Sequence, residues 1–177
     1  GGAIRYGLSA IKSVNHAFIE NLCKERKERG KFTGLEDFLT RMADKEINKR
    51  VVENLIKAGA LDNFGATRKQ SMMVYVGIME GIAQDRKNSM AGQITLFDLA
   101  GEEEKGDFEV KLPDVGEYPR EVYLGFEKEV LGIYISGHPL EEYEEKWRKN
   151  ITRVTTDFLI DEETGQTIAR EGENAVV

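Results

Sequence analysis

The chain has 177 residues, of which 40% are apolar, with 25 Lys and Arg against 32 Asp and Glu, a net charge of −7, and a single cysteine. That length supports one or two domains with a real core, and no apolar run reaches membrane-spanning length. One thiol, Cys23, forms no internal disulfide and fits a reducing cytosol. The charge is unevenly divided: residues 1–90 hold 16 basic and 11 acidic side chains, net +5, and residues 91–177 hold 9 and 21, net −12. The basic half suggests an anionic partner. Interleaved runs such as Lys24-Glu25-Arg26-Lys27-Glu28-Arg29, however, describe a solvated helix face with i,i+4 pairs.

The opening Gly1 to Tyr6 has neither Met nor an apolar segment and reads as a start inside a longer chain. Short helices follow. Leu8, Ile11, Phe18, Ile19 and Leu22 recur at helical spacing around a turn at Asn15, and Gly30 closes the helix after a charged last turn. Leu35 to Leu39 is a second short helix starting at Thr33 or Gly34. A third runs from about Asn48 through Val51, Val52, Leu55 and Ile56 to Gly59. A long helix begins near Thr67 and carries Met72, Met73, Val76 and Met79 at core spacing.

Residues 88–118 break the pattern. Asn88, Ser89, Gly92, Gly101 and Glu102-Glu103-Glu104 predict a mobile connector, yet Ile94, Leu96, Phe97 and Leu99 form an apolar island inside it. Pro119 suits the first turn of a helix through Val122, Phe126 and Val130. Pro139 opens another, from Leu140 to Trp147. The period then changes: Ile151 to Ile160 is rich in β-branched residues, Asp161 to Gly165 is a turn, and Gln166 to Arg170 returns as a second strand. The predicted fold class is therefore mainly α. Its expected parts are helical hairpins over residues 1–87, the connector over 88–118, a helical segment over 119–150 and a β-rich start over 151–177.

Two motifs point to binding. Leu8 to Ile19 has the spacing of a helix-hairpin-helix, in which outward N–H groups of a tight turn hold a phosphate. Such a turn demands positive φ, usually met by glycine; Ser13 and Asn15 stand there instead, and Asn tolerates the left-handed region. Lys12, Ser13 and Asn15 are the candidate backbone contacts. The second hairpin-like turn, Lys57 to Gly65, leads into Thr67-Arg68-Lys69, so Gly65, Arg68 and Lys69 suit an anion at a helix start.

The connector peptide Gln93-Ile94-Thr95-Leu96-Phe97 has the form of a groove-binding anchor, an amide followed by two adjacent apolar side chains. Burying Leu and Phe contributes roughly 1.5–3 kcal/mol each, enough for a weak micromolar contact before ordering costs. The same residues also describe a loop pinned to its own domain, and on pattern alone that reading carries more weight, because so short a match is common. No nucleophile elbow, P-loop or metal-ligand cluster is found, and His16 and His138 read as structural. Two-metal catalysis needs closely spaced carboxylates held on strands; the acids here sit in loops or on helix faces, and no pair has a metal-binding context.

Three segments together, Tyr6 to Val14, Asn48 to Asp62 and Leu124 to Leu140, resemble the bacterial DNA polymerase III alpha subunit of the DnaE type, in order and spacing over nearly the whole chain. The resemblance implies a tandem helix-hairpin-helix module following the polymerase fingers, a clamp-binding connector, and then helices and a short β segment leading into an OB-fold. It implies that Gln93, Leu96 and Phe97 bind the sliding clamp, which reverses the weight given to the pinned loop. The hairpins then hold duplex DNA by its backbone without regard to sequence. The parent is a DNA-directed DNA polymerase using dNTPs and Mg2+ beside other replicase subunits, in the bacterial cytoplasm at the nucleoid. The family's catalytic aspartates lie upstream of this region, so the chain alone is expected to be inactive. Ser13 and Asn15 depart from the family's Gly-x-Gly. The alternatives are a stand-alone helix-hairpin-helix repair or recombination accessory protein and a structural spacer.

Overall fold

The computed structural model describes residues 6–90, 111–160, 164–170 and 172–177. The Gln93–Phe97 peptide lies outside them. The chain divides into two compact units, Gly1–Ser136 and Gly137–Val177.

Among the described residues, the first unit is built from five helices. A 3-10 turn, Leu8–Ala10, leads into the first hairpin and then α1, His16–Arg29. The Asn15 side chain accepts the Phe18 N–H at 2.8 Å and caps α1, which ends at Gly30 with φ +81°. Helix α2, Leu35–Met42, starts after Gly34 with Glu36 and Asp37 in its first turn, where acids complement the helix dipole. Helix α3, Lys49–Lys57, is capped by the Asn48 side chain, which accepts the Val51 N–H at 3.0 Å. A turn through Gly59 and a 3-10 turn, Asp62–Phe64, lead into the 23-residue α4, Arg68–Met90. Helix α5, Arg120–Leu131, follows Pro119 and stops at Gly132 with φ +77°.

The core of this unit gathers Phe18 from α1, Phe38, Leu39 and Met42 from α2, Val52, Leu55 and Ile56 from α3, and Val130 from α5. Helix α3 is central and packs against both α4 and α5. Full burial of a side chain such as Leu55 or Ile56 contributes roughly 1.5–3 kcal/mol, so this short helix is held by packing more than by intrinsic propensity. Of the methionines on α4, Met72 and Met79 pack against the core, whereas Met73 is 58% exposed and faces solvent.

A second fastening is ionic. Glu25 of α1 is buried and accepts hydrogen bonds from Lys45, from Arg41 Nε at 3.0 Å and from Arg29 Nη1 at 3.3 Å. Lys45, then Arg41 and Arg29, hold the Glu25 carboxyl down to about 2 against the opposing effect of burial. Arg41 also donates to the Glu25, Gly30 and Lys31 carbonyls, tying the α1–α2 loop to α2.

The second unit holds a 3-10 turn, Glu141–Tyr143, helix α6, Glu144–Asn150, and a further 3-10 turn, Thr155–Phe158. Among the described residues no strand forms, which departs from the expectation for 151–177. The reason is local. Asp157 accepts the Val154 N–H on its side chain at 3.2 Å and curls the segment. Extended pairing is confined to Thr152 and Arg153 donating to the Val176 carbonyl, and to Ala169 donating to the Asp157 carbonyl. β-branched composition forms a ladder only where a partner edge is offered.

Candidate nucleic-acid interface

The first hairpin is held from beneath. Ile11 and Val14 are buried, the Val14 N–H closes the turn on the Ile11 carbonyl, and Ser13 takes the left-handed conformation at φ +67°. For a residue with a Cβ that conformation costs roughly 1–2 kcal/mol. Two distant elements stabilise it. The Lys12 N–H donates to the Val130 carbonyl of α5 at 3.0 Å, and the buried Asn54 amide of α3 donates to the Lys12 carbonyl at 2.7 Å. The N–H groups of Ser13, Asn15, His16 and Ala17 find no acceptor among the described residues, and all four residues are exposed. The turn therefore presents a set of free donors at the positive end of a helix. Asn15 commits its Oδ1 to capping α1, which leaves its amide nitrogen and its backbone N–H for a ligand.

Beside the hairpin lies an open cleft of about 490 Å³, bounded by Lys12, Lys49, Arg50, Asn54, Lys57 and Val130 with Glu53 and Glu129. Its cations are not equal. Lys57 bridges Glu53 at 3.0 Å and Glu129 at 3.1 Å; burial lowers its pKa, and these two carboxylates more than reverse that, so it stays charged and engaged. Lys49 pairs with Glu80 at 2.6 Å. Lys12 and Arg50 have no ion-pair partner among the described residues and are exposed. Lys12 and Arg50 thus share this cleft with the Glu53 and Glu129 carboxylates, and Lys12 directly precedes the free N–H of Ser13.

Sequence reasoning found Lys12 and passed over Lys49 and Arg50. A signal was available in the way α3 begins. Its first turn holds two cations and no acid, against the helix dipole, and such a local violation often marks a functional surface.

The second hairpin differs. Gly65 is exposed, with φ +82°, and Lys69 carries no ion pair among the described residues. Arg68, expected at the phosphate, points into the protein and is 7% exposed. Its guanidinium meets Asp62 at 2.9 Å, Glu127 at 3.0 Å and the Ser136 hydroxyl at 3.3 Å. Burial lowers the Arg68 pKa, and Asp62 and Glu127 together raise it further, so the charge is fixed and internal. A Cβ on Gly59 would overlap this guanidinium. Glu127 is fully buried. Burial pushes its carboxyl up, and donors from Ser136 Oγ, the Ser136 and Ile135 N–H groups and Arg68 bring it below the usual range.

The start of α4 is also occupied. The Glu117 carboxylate accepts the Arg68 N–H at 2.8 Å and the Lys69 N–H at 3.1 Å, while Thr67 and Gln70 cap each other. An internal carboxylate thus sits where an anion was expected, which leaves the first hairpin as the open one.

The match to the helix-hairpin-helix motif family covers residues 1–71, which takes in both hairpins. The chain is 36% identical over 140 residues to the DNA polymerase III subunit alpha of Borreliella burgdorferi, 79% of this chain and 12% of that protein. It is 37% identical over 155 residues to that of Vibrio cholerae, 88% and 13%, and 42% identical over 149 residues to that of Campylobacter jejuni, 81% and 12%.

The chain is homologous to one region of the DNA polymerase III alpha subunit.

It spans about an eighth of the length of the curated relatives it matches. Two of the segments that carried the resemblance hold parts of the internal network: Asp62 closes one, and Glu127 and Ser136 lie in the other. Among the described residues no three His, Cys, Asp or Glu side chains are grouped to hold a metal ion, and no helix is long and apolar enough to cross a membrane. The two histidines make local contacts: His16 lies 3.2 Å from Glu20 on α1, and His138 Nδ1 accepts the Leu140 N–H.

Proposed function

We propose that this chain is the duplex-gripping and clamp-tethering part of a replicative DNA-directed DNA polymerase. The observation that supports it best is the first hairpin, where unengaged N–H groups directly follow Lys12, which shares its cleft with Arg50. Such a surface suits phosphate oxygens and reads no base edge, as a copying enzyme requires. Gln93, Leu96 and Phe97 would tether the polymerase to its sliding clamp. Nucleotidyl transfer with dNTPs and Mg2+ would belong to other parts of the parent protein. Residues 151–177 would be the start of an OB-fold domain, and the assembly would work in the cytoplasm at the nucleoid. The clamp reading is tested by titrating the chain against purified sliding clamp. The wild-type chain should bind in the micromolar range, and Leu96→Ala/Phe97→Ala should abolish binding; equal binding by the double variant refutes the assignment.

A further inference from the structure

A pocket of about 440 Å³, sharing no lining residue with the hairpin cleft, opens between the first 3-10 turn, α1, α2, α3 and the second hairpin. Its lining is mainly aliphatic and aromatic, with Leu22, Leu55, Leu61 and an aromatic set in which Phe38 meets Phe32 edge-on at 5.3 Å and Phe64 at 5.9 Å. Arg26 and Lys31 also line it. Both are exposed, and neither side chain has an ion-pair partner among the described residues. That contrasts with the cluster nearby, where Arg29, Arg41 and Lys45 each contact the Glu25 carboxylate. An apolar recess bordered by two unmatched cations calls for an occupant of opposite design.

We infer that this pocket docks a protein segment carrying two adjacent large apolar side chains flanked by carboxylates. The apolar pair fills the recess, as in other anchor-in-pocket contacts, and the acids meet Arg26 and Lys31, which give orientation and partner choice more than affinity. A nucleobase fits less well. Its edges bring several donors and acceptors, the uncharged polar lining is the Asn63 amide, and each polar atom buried without a partner weakens binding. The surface is distinct from the hairpin cleft, so the inference does not depend on the DNA or clamp assignments.

The test uses the whole chain, labelled with nitrogen-15, titrated with a synthetic Glu-Asp-Leu-Phe-Asp-Glu peptide and with a Lys-Lys-Leu-Phe-Lys-Lys control. The acidic peptide should shift the Leu22, Phe32 and Phe64 amide signals saturably, and the basic control should leave them in place. Arg26→Glu/Lys31→Glu, at exposed positions that leave the core intact, should weaken the acidic peptide by at least about fivefold, since each exposed pair contributes modestly. Asn63→Trp, also at an exposed position, should fill the mouth and remove the response. Equal binding of the two peptides overturns the inference, as does indifference to the charge reversal. Tighter occupation of the same signals by a single-stranded thymidine octamer identifies a nucleic-acid site instead. Pocket signals that move with protein concentration alone identify a second copy as the occupant. Signals that move when residues 91–110 are deleted identify the chain's own connector.

Discussion

Removing Lys12 and Arg50 together gives the sharpest test of the hairpin surface, because both are exposed and without an ion-pair partner among the described residues, and their loss leaves no buried charge behind. Each phosphate contact to duplex DNA changes the slope of log affinity against log salt by about 0.9. Lys12→Ala/Arg50→Ala should therefore flatten the slope by about 1.8. Between roughly 50 and 200 mM salt, each contact makes affinity fall by about 3.5-fold, so the wild type should lose about 12-fold more affinity than the double variant over that range. At the low-salt end each missing contact should weaken binding by about tenfold. The assay is fluorescence anisotropy of a labelled duplex of arbitrary sequence, repeated at four or more salt concentrations, with a thermal melt to show that both proteins are folded. A second duplex of unrelated sequence should give the same curves. A folded double variant with unchanged slope and affinity refutes the hairpin as the DNA-binding surface. So does a slope change confined to one of the two sequences.

Arg68→Ala should behave in the opposite manner, costing stability before affinity. It leaves the fully buried Glu127 without its cation. Breaking a buried pair costs about 3–5 kcal/mol, and the donors from Ser136 and Ile135 place this case at the lower end; urea unfolding measures it. Glu25 sets an acid limb. Its folded pKa is depressed to about 2, below the ordinary 4.5, so its contribution is fully present above about 4.5 and is lost as pH falls towards 2. Glu25→Gln should lower the melting temperature at pH 7 and flatten its decline between those pH values. Glu117→Ala should uncap α4 and cost about 1 kcal/mol, a drop of about 2–4 °C in melting temperature by circular dichroism.

The helices were legible where the signals are local. Asn15, Asn48, Gly30 and Pro119 mark helix ends by rules that act within a few residues, and the chain obeys them. The strand expected at Ile151 to Ile160 was misread because the pattern records preference, while a ladder depends on a partner edge; the nearer Asp157 turn prevails. At the candidate site, Lys12 was visible as a cation on a turn. The interior fate of Arg68 was not, since its partners include Glu127, 59 positions away, and nothing local distinguishes it from the half-buried Lys69 beside it. Glu117 was hidden for the same reason, because its role as the cap of α4 depends on chain closure across 48 and 49 positions.

The network around Glu127 also determines where this protein can be divided. Helix α5 ends at Leu131, and a cut placed there on secondary structure alone would look clean. It would strip Glu127 of the Ile135 and Ser136 N–H groups and the Ser136 hydroxyl, leaving Arg68 as its remaining partner in a dry interior. The last residues of the first unit, Ile135 and Ser136, complete the hydrogen bonding of an acid in the middle of the fold. Truncations and domain fusions of this module should respect that hydrogen-bonding edge in preference to the helix end.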